Sequence, residues 1–108
     1  MANGILGSND LTSTTNVTVY DVPDSTFSVV TISFCNKNAT AITVRLALVK
    51  PGQATPAGDD YIEYDTEVLA NGVLERTGIV LEADRKVVAW SSSANTVAMV
   101  FGIETATV

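Results

Sequence analysis

The sequence contains no histidine and a single cysteine, Cys35. A lone cysteine cannot close an intramolecular disulfide, and without histidine the usual donor set of a zinc site is missing. The side chain that most often exchanges a proton near neutral pH is also absent. No apolar run approaches the roughly 18 residues that cross a bilayer as a helix. The opening Met1-Ala2-Asn3-Gly4 has neither the basic stretch nor the apolar stretch of a secretory leader, so none is expected. Gly52, Gly58, Gly72, Gly78 and Gly102 stand singly, which excludes a glycine-rich phosphate loop.

Charge is scarce and one-sided. Charged residues make up 17% of the chain, against about 25% in an average domain. Six basic residues are scattered among twelve acidic ones, for a net charge of −6. Nucleic-acid binders gather Lys and Arg on one face to neutralise phosphates, so no nucleic-acid partner is expected. An anionic membrane surface is excluded on the same ground.

What fills the space is β-branched and hydroxylic. There are fourteen Thr and eight Ser, and Val, Ile and Thr together account for 35 of 108 residues. Branching at Cβ restricts χ1 in a helix and suits a pleated surface. Val17 and Val19 share one face, opposite Thr18 and Tyr20. Val22-Pro23-Asp24-Ser25 reads as a turn. From Phe27 to Cys35, Val30, Ile32 and Phe34 share a face. After Asn36-Lys37-Asn38, Ile42, Val44, Leu46 and Leu48 point one way and Thr43 and Arg45 the other, so these two strands are expected to pair as a hairpin.

Lys50 to Asp59, with Pro51-Gly52 and Pro56-Ala57-Gly58, is a long loop. Tyr61 to Tyr64 is a short strand, and Asn71-Gly72 is the strongest tight-turn signal. Val73 to Thr77 has a helical look, but Gly78 and Ile79-Val80-Leu81 favour strands. Glu82 to Arg85 is a turn, Lys86 to Ser91 a strand, Ser91-Ser92-Ser93 a loop. The last strand, Thr96 to Glu104, puts Val97, Met99, Phe101 and Ile103 on one face. Seven or eight short strands at 8–12-residue spacing predict an all-β fold, a single antiparallel β-sandwich over residues 16–108. Residues 1–15, rich in Gly, Ser, Asn and Thr, are expected to be an extended N-terminal arm.

The residues offer no catalytic set, and no enzyme activity, cofactor or metal is expected. Cys35 lacks an evident base or cation beyond Lys37. Asp59, Asp60, Glu63, Asp65 and Glu67 are numerous enough for calcium, but the alternation of the last three reads as a solvated strand face. The sequons Asn16-Val17-Thr18 and Asn38-Ala39-Thr40 are read as coincidence in the absence of a leader. Trp90 shares a face with Val88 and is expected in the core. Tyr20, Tyr61 and Tyr64 suit an interface. Ile5, Leu6 and Leu11 are out of place in a pure linker and are expected to bind a partner subunit.

Three stretches carry a resemblance. They are Thr18-Val19-Tyr20-Asp21-Val22-Pro23; Tyr61-Ile62-Glu63-Tyr64-Asp65 with Asn71 through Leu81; and Val100-Phe101-Gly102-Ile103-Glu104. Over roughly Thr15 to Glu104 the chain resembles a family of small β-sandwich structural proteins from virions of tailed bacteriophages. It departs at Glu82-Ala83-Asp84-Arg85-Lys86, where a Gly-Asp turn is expected. The resemblance implies a virion part assembled in the host cytoplasm and brings no catalytic residues. A capsid decoration (cement) protein on the outer shell is the first expectation, a tail, baseplate or fibre component the second, and a host-surface carbohydrate-binding module the third. The expected partners are the chain itself, as a trimer or higher ring, and the major capsid protein or tail subunits. Sugar binding asks for exposed aromatic rings, and the aromatic content is 6%.

Overall fold

The computed structural model describes residues 2–107; Met1 of the expected arm and Val108 of the expected sandwich lie outside the described residues. The strands are β1 (Asn3–Asp10), β2 (Val17–Asp21), β3 (Thr26–Asn36), β4 (Ile42–Val49), β5 (Tyr61–Val68), β6 (Val73–Leu81), β7 (Lys86–Ser91) and β8 (Thr96–Ala106), with a 3₁₀ turn at Gly58–Asp60. They form two four-stranded sheets, ordered β1-β8-β3-β6 and β2-β7-β4-β5. Every pairing is antiparallel. The fold is all-β, a sandwich, as the alternation implied, and its strand order is that of a jelly roll.

The chain changes sheet at every connection except β4–β5. The expected hairpin between β3 and β4 is therefore wrong: β3 lies in the first sheet and β4 in the second. The alternating pattern is the same whether a turn leads back along one sheet or arches to the other, so periodicity alone cannot separate the two. Asn71-Gly72 is likewise a sheet-to-sheet arch. Asn71 sits at φ 57°, and the Gly72 amide donates to the Leu69 carbonyl at 2.9 Å. Buried Asn36 stitches this arch to the β3–β4 connection, donating to the Val68 and Leu69 carbonyls while its Oδ1 accepts from the Asn38 amide.

Between the sheets lie Val30, Ile32 and Phe34 of β3, Val44 and Leu46 of β4, Val87 and Ala89 of β7, and Ala98 and Val100 of β8. Leu48 keeps to the inner side with Ile42, Val44 and Leu46, packed against this core. Ala47 and Val49, with Val88 and Tyr61, form a second apolar cluster on the outer side of the second sheet. One side chain departs from expectation. Trp90 does share a face with Val88, but it is the outer face, since Val87 and Ala89 take the inner one. Val19 and Tyr20 are both buried because a bulge between Thr18 and Tyr20 adds a residue to β2.

The N-terminal arm is the main correction to the expected domain plan. Asn3–Asp10 is not free but forms the edge strand β1, paired along β8 from Ile103 to Val97. Leu11 follows it into the core at 2% exposure, and Leu6 packs against the core. Leu11 and Leu6 thus serve the chain's own sandwich, and only Ile5 faces out. The composition misled because an edge strand with one wet face needs few apolar residues. Gly7, read as a source of flexibility, meets a packing demand: a Cβ there would lie 2.1 Å from the Val19 carbonyl oxygen of the opposite sheet. Removing residues 2–11 is expected to unfold the sandwich rather than release a tether. Leu11→Ala should lower stability by roughly 2–5 kcal/mol, and Gly7→Val should destabilise comparably. Denaturant unfolding followed by circular dichroism checks both.

Candidate functional site

The first sheet presents an apolar outer face. On β8, Thr96, Ala98 and Val100 point inward, so Val97, Met99, Phe101 and Ile103 stand outward. Across the sheet, Ile103 is level with Val29 of β3 and, beyond it, Val80 of β6. Phe101 is level with Ile5 of β1, and Val97 with Cys35 and then Val73. Ile5, Ile103, Val73 and Val80 are half or more exposed, Val80 by 66%. The alternation of this face contributes two acidic residues. One is Glu75; the other is Asp10, paired with Lys37 at 3.2 Å at one end. Thr31, Ser33 and Ser8 supply uncharged polar groups between the apolar ones. Lys37, the cation near Cys35 in sequence, is thus engaged by Asp10.

On the outer side of the second sheet an aromatic cluster forms around Arg45. Register pairs Arg45 of β4 with Trp90 of β7. The guanidinium carbon lies 4.2 Å from the Trp90 ring centroid and 4.3 Å from that of Tyr64. Its Nε donates to Asp65 Oδ1 at 2.7 Å and a terminal nitrogen to Oδ2 at 3.3 Å. Tyr61 meets Tyr64 with centroids 5.0 Å apart and planes at 86°. These two rings and Gly58 line an open depression of ≈ 520 Å³.

The acidic stretch does not present one solvated face. Bulges on β5 break the alternation, and each carboxylate goes its own way. Asp60 is buried and accepts from Lys50 Nζ at 2.6 Å, Gln53 Nε2 at 2.8 Å and the Ala57 amide at 2.8 Å. Asp59 also takes Lys50, at 2.7 Å. Glu63 bridges to Arg76 on the facing sheet at 3.1 Å, and Asp65 holds Arg45. Among the described residues no three His, Cys, Asp or Glu side chains converge on a point a metal ion could occupy.

Tyr20 is buried apart from the other tyrosines and latches the sheets together. Its hydroxyl donates to Glu104 Oε2 at 2.6 Å, and Ser28 Oγ lies 2.6 Å away. Burial, and then the Glu104 carboxylate, push the phenol up to about 12. The Tyr20 hydroxyl and the Ala2 amide hold the Glu104 carboxyl below its ordinary value. For Asp60, burial is the largest influence and acts upward, but Lys50, the Ala57 amide and Gln53 outweigh it and the net direction is down.

Sequence reasoning named Ile5 and the three tyrosines. The structure brings Tyr61 and Tyr64 together, leaves Tyr20 elsewhere, and sets Ile5 at the rim of the apolar face. Arg45 and Trp90 were missed as partners, as was the outward sense of the β8 stripe. The only trace of the first was Arg45 on the polar side of its strand. Comparison with protein-family models, with curated proteins and with solved structures finds no match to this chain.

A depressed carboxyl stabilises the fold above its ordinary pKa, and that stability is lost as pH falls through the lower folded-state value. The melting temperature is therefore expected to hold near neutrality and to decline below about pH 4.5, the ordinary value for Glu104. Glu104→Gln should flatten part of that acid limb. A thermal melt series across pH, for both proteins, reads the difference directly.

Proposed function

We propose that the chain is a non-enzymatic structural protein of a tailed-phage virion, and that it decorates the outer capsid shell as copies assembled with one another. The observation that supports the assembly in this reading is the apolar, nearly uncharged outer face of the β1-β8-β3-β6 sheet. Four strands about 4.8 Å apart, rising about 3.3 Å per residue, give that face a flat extent on the order of 600 Å². The apolar side chains share that extent with Ser8, Asp10, Thr31, Ser33 and Glu75, so the apolar part falls inside the range of the largest patch on an ordinary monomer, about 300–600 Å². The whole face approaches the roughly 800 Å² each partner contributes to a standard interface.

The occupant that fits is a second copy of this chain. With a net charge of −6, two copies repel over most of their surface. An uncharged face is where they can meet with the least charge to desolvate. The jelly roll supports many roles, so the fold adds little by itself. The virion assignment rests on the resemblance carried by Thr18–Pro23, Tyr61–Asp65 with Asn71–Leu81, and Val100–Glu104. A tail, baseplate or fibre component is the alternative within the same class, and the same face would serve it.

Two measurements test this. Copies per particle on the scale of the shell subunits support decoration, and copies on the scale of the tail's symmetry support the alternative. For the face itself, Ile103→Lys on β8 and Val80→Lys on β6 place charges on either side of β3 at positions already exposed. Both are expected to leave the melting temperature within a few degrees of the parent and to abolish oligomers in sedimentation. A parent that stays monomeric at high concentration, free and with shell protein, would sink the self-assembly reading.

A further inference from the structure

The depression bounded by Gly58, Tyr61 and Tyr64 lies on the opposite sheet from the apolar face, and nothing in the proposed assembly uses it. We propose that it is a saccharide-binding site, taking a neutral sugar ring in the corner made by Tyr61 and Tyr64. The proposal stands independently of the virion assignment.

The first ground is where the chain spends its few aromatic residues. Two of its seven aromatic side chains line the depression and a third, Trp90, stacks on the Arg45 guanidinium that also packs on Tyr64, and Tyr64 is left 58% exposed. A tyrosine needed only for packing would be drawn further in. Neither the Tyr61 nor the Tyr64 hydroxyl has a hydrogen-bond partner among the described residues, so both are free to take ligand hydroxyls.

The second ground is rigidity. A bulge on β5 places Asp65 at φ 52°, in the left-handed region that non-glycine residues rarely adopt. Bulges re-aim side chains, and here the Asp65 carboxylate holds the guanidinium that stacks on Tyr64. On the other side, the Gly58–Asp60 turn is fixed by Asp60 through Lys50, Gln53 and Ala57. Lys86 Nζ donates to the Gln53 carbonyl at 2.9 Å and anchors the same loop to β7. Walls already set in place lower the ordering cost of binding.

The third ground is charge and shape. Arg45 is paired with Asp65, and Lys50 is shared by Asp59 and Asp60, so these two cations are already engaged and offer little to an anionic ligand. A sugar ring has C–H faces that suit the negative face of an aromatic ring and hydroxyls around its edge. Rings crossed at 86° form a corner for one compact ring. A proline-rich peptide docks along an extended aromatic-lined groove, which this corner does not provide. The volume, ≈ 520 Å³, falls within the roughly 300–1,000 Å³ of small-molecule sites.

The test is a titration of the isotopically labelled full chain with glucose, galactose, N-acetylglucosamine and rhamnose, and separately with a decaproline peptide. Amide shifts are followed by NMR, and the fluorescence of the single tryptophan, Trp90, is a second readout. At least one sugar is expected to shift the Gly58, Tyr61 and Tyr64 amides saturably at millimolar concentrations. Tyr64→Ala should weaken that binding about tenfold, a loss of about 1.4 kcal/mol. Gly58→Phe is the blocking variant. A Cβ at Gly58, on the lining of the depression, meets nothing within 4 Å, so a side chain can be added there; its ring is expected to fill the depression, and binding should disappear with the melt unchanged. Three outcomes overturn the proposal: none of the four sugars shifts these amides, the shifts survive Gly58→Phe, or decaproline binds here and no sugar does.

Discussion

A strand has two faces, and β8 has more apolar bulk than one of them can hide. It pairs on both sides, with β1 and β3, so its orientation is fixed by two ladders at once. Putting Thr96, Ala98 and Val100 inside forces Val97, Met99, Phe101 and Ile103 out. A one-residue slip would exchange the two sets and drive the larger one between the sheets, where Phe34, Ile32 and Leu46 already fill the space. The apolar outer face is thus the counterpart of a core built from small and β-branched side chains. It was not added to a finished sandwich; it follows from which half of β8 the core can accept.

The same periodicity explains what could be read from the chain. Alternation and turn residues located seven of the eight strands, because both signals are local. They gave the sharing of faces on β3 and β8 correctly, but not which face of β8 meets the core, because parity has no inside or outside until a partner sheet exists. They also could not distinguish an arch from a hairpin, which is why β3 and β4 were paired. β1 escaped because its inward residues are Leu6, Gly7 and Asn9, a set with too little apolar character to stand out, although Gly7 is small for a packing reason. The aromatic site was illegible for a different cause. Its geometry depends on a β5 bulge that puts Asp65 in a left-handed conformation, and an Asp in the sequence carries no mark of that.

Charge is arranged to leave both sheet faces largely neutral. Lys37, Arg45, Lys50, Arg76 and Arg85 each meet a carboxylate within 3.2 Å. Pairs as exposed as Lys37–Asp10 contribute little to stability, so their value is in position. Glu63–Arg76 joins the edges of the two sheets, and Lys50–Asp60 fixes the long loop. The unpaired excess is acidic and includes Asp21, Asp24, Glu67 and Asp84, which lie in turns and on the second sheet's margins. Repulsion between those margins is screened over about 10 Å at 0.1 M salt. Association through the apolar face should therefore strengthen with salt, opposite to what a charge-driven interface would do.

The sheet edges close off the other obvious route to association. An open edge offers unpaired N–H and C=O groups to any extended chain, and proteins blunt it with bulges and charge. Here all four edge strands are bulged. The extra residue falls on β1 between Ile5 and Gly7, on β2 between Thr18 and Tyr20, and on β6 opposite Val30–Ile32; β5 carries two. The inner pairings β3–β8 and β4–β7 are uninterrupted. On β6 the break comes with Gly78 at φ 68°, a conformation few other residues accept. A regular ladder inside and an irregular one at every border is the pattern expected of a sandwich that resists growing sideways by strand addition. With the edges spoiled and the margins acidic, the flat apolar face is the surface left for the proposed self-assembly, and a contact of that face with its own copy is isologous and closes on itself, whereas strand addition at an edge would extend into a fibre.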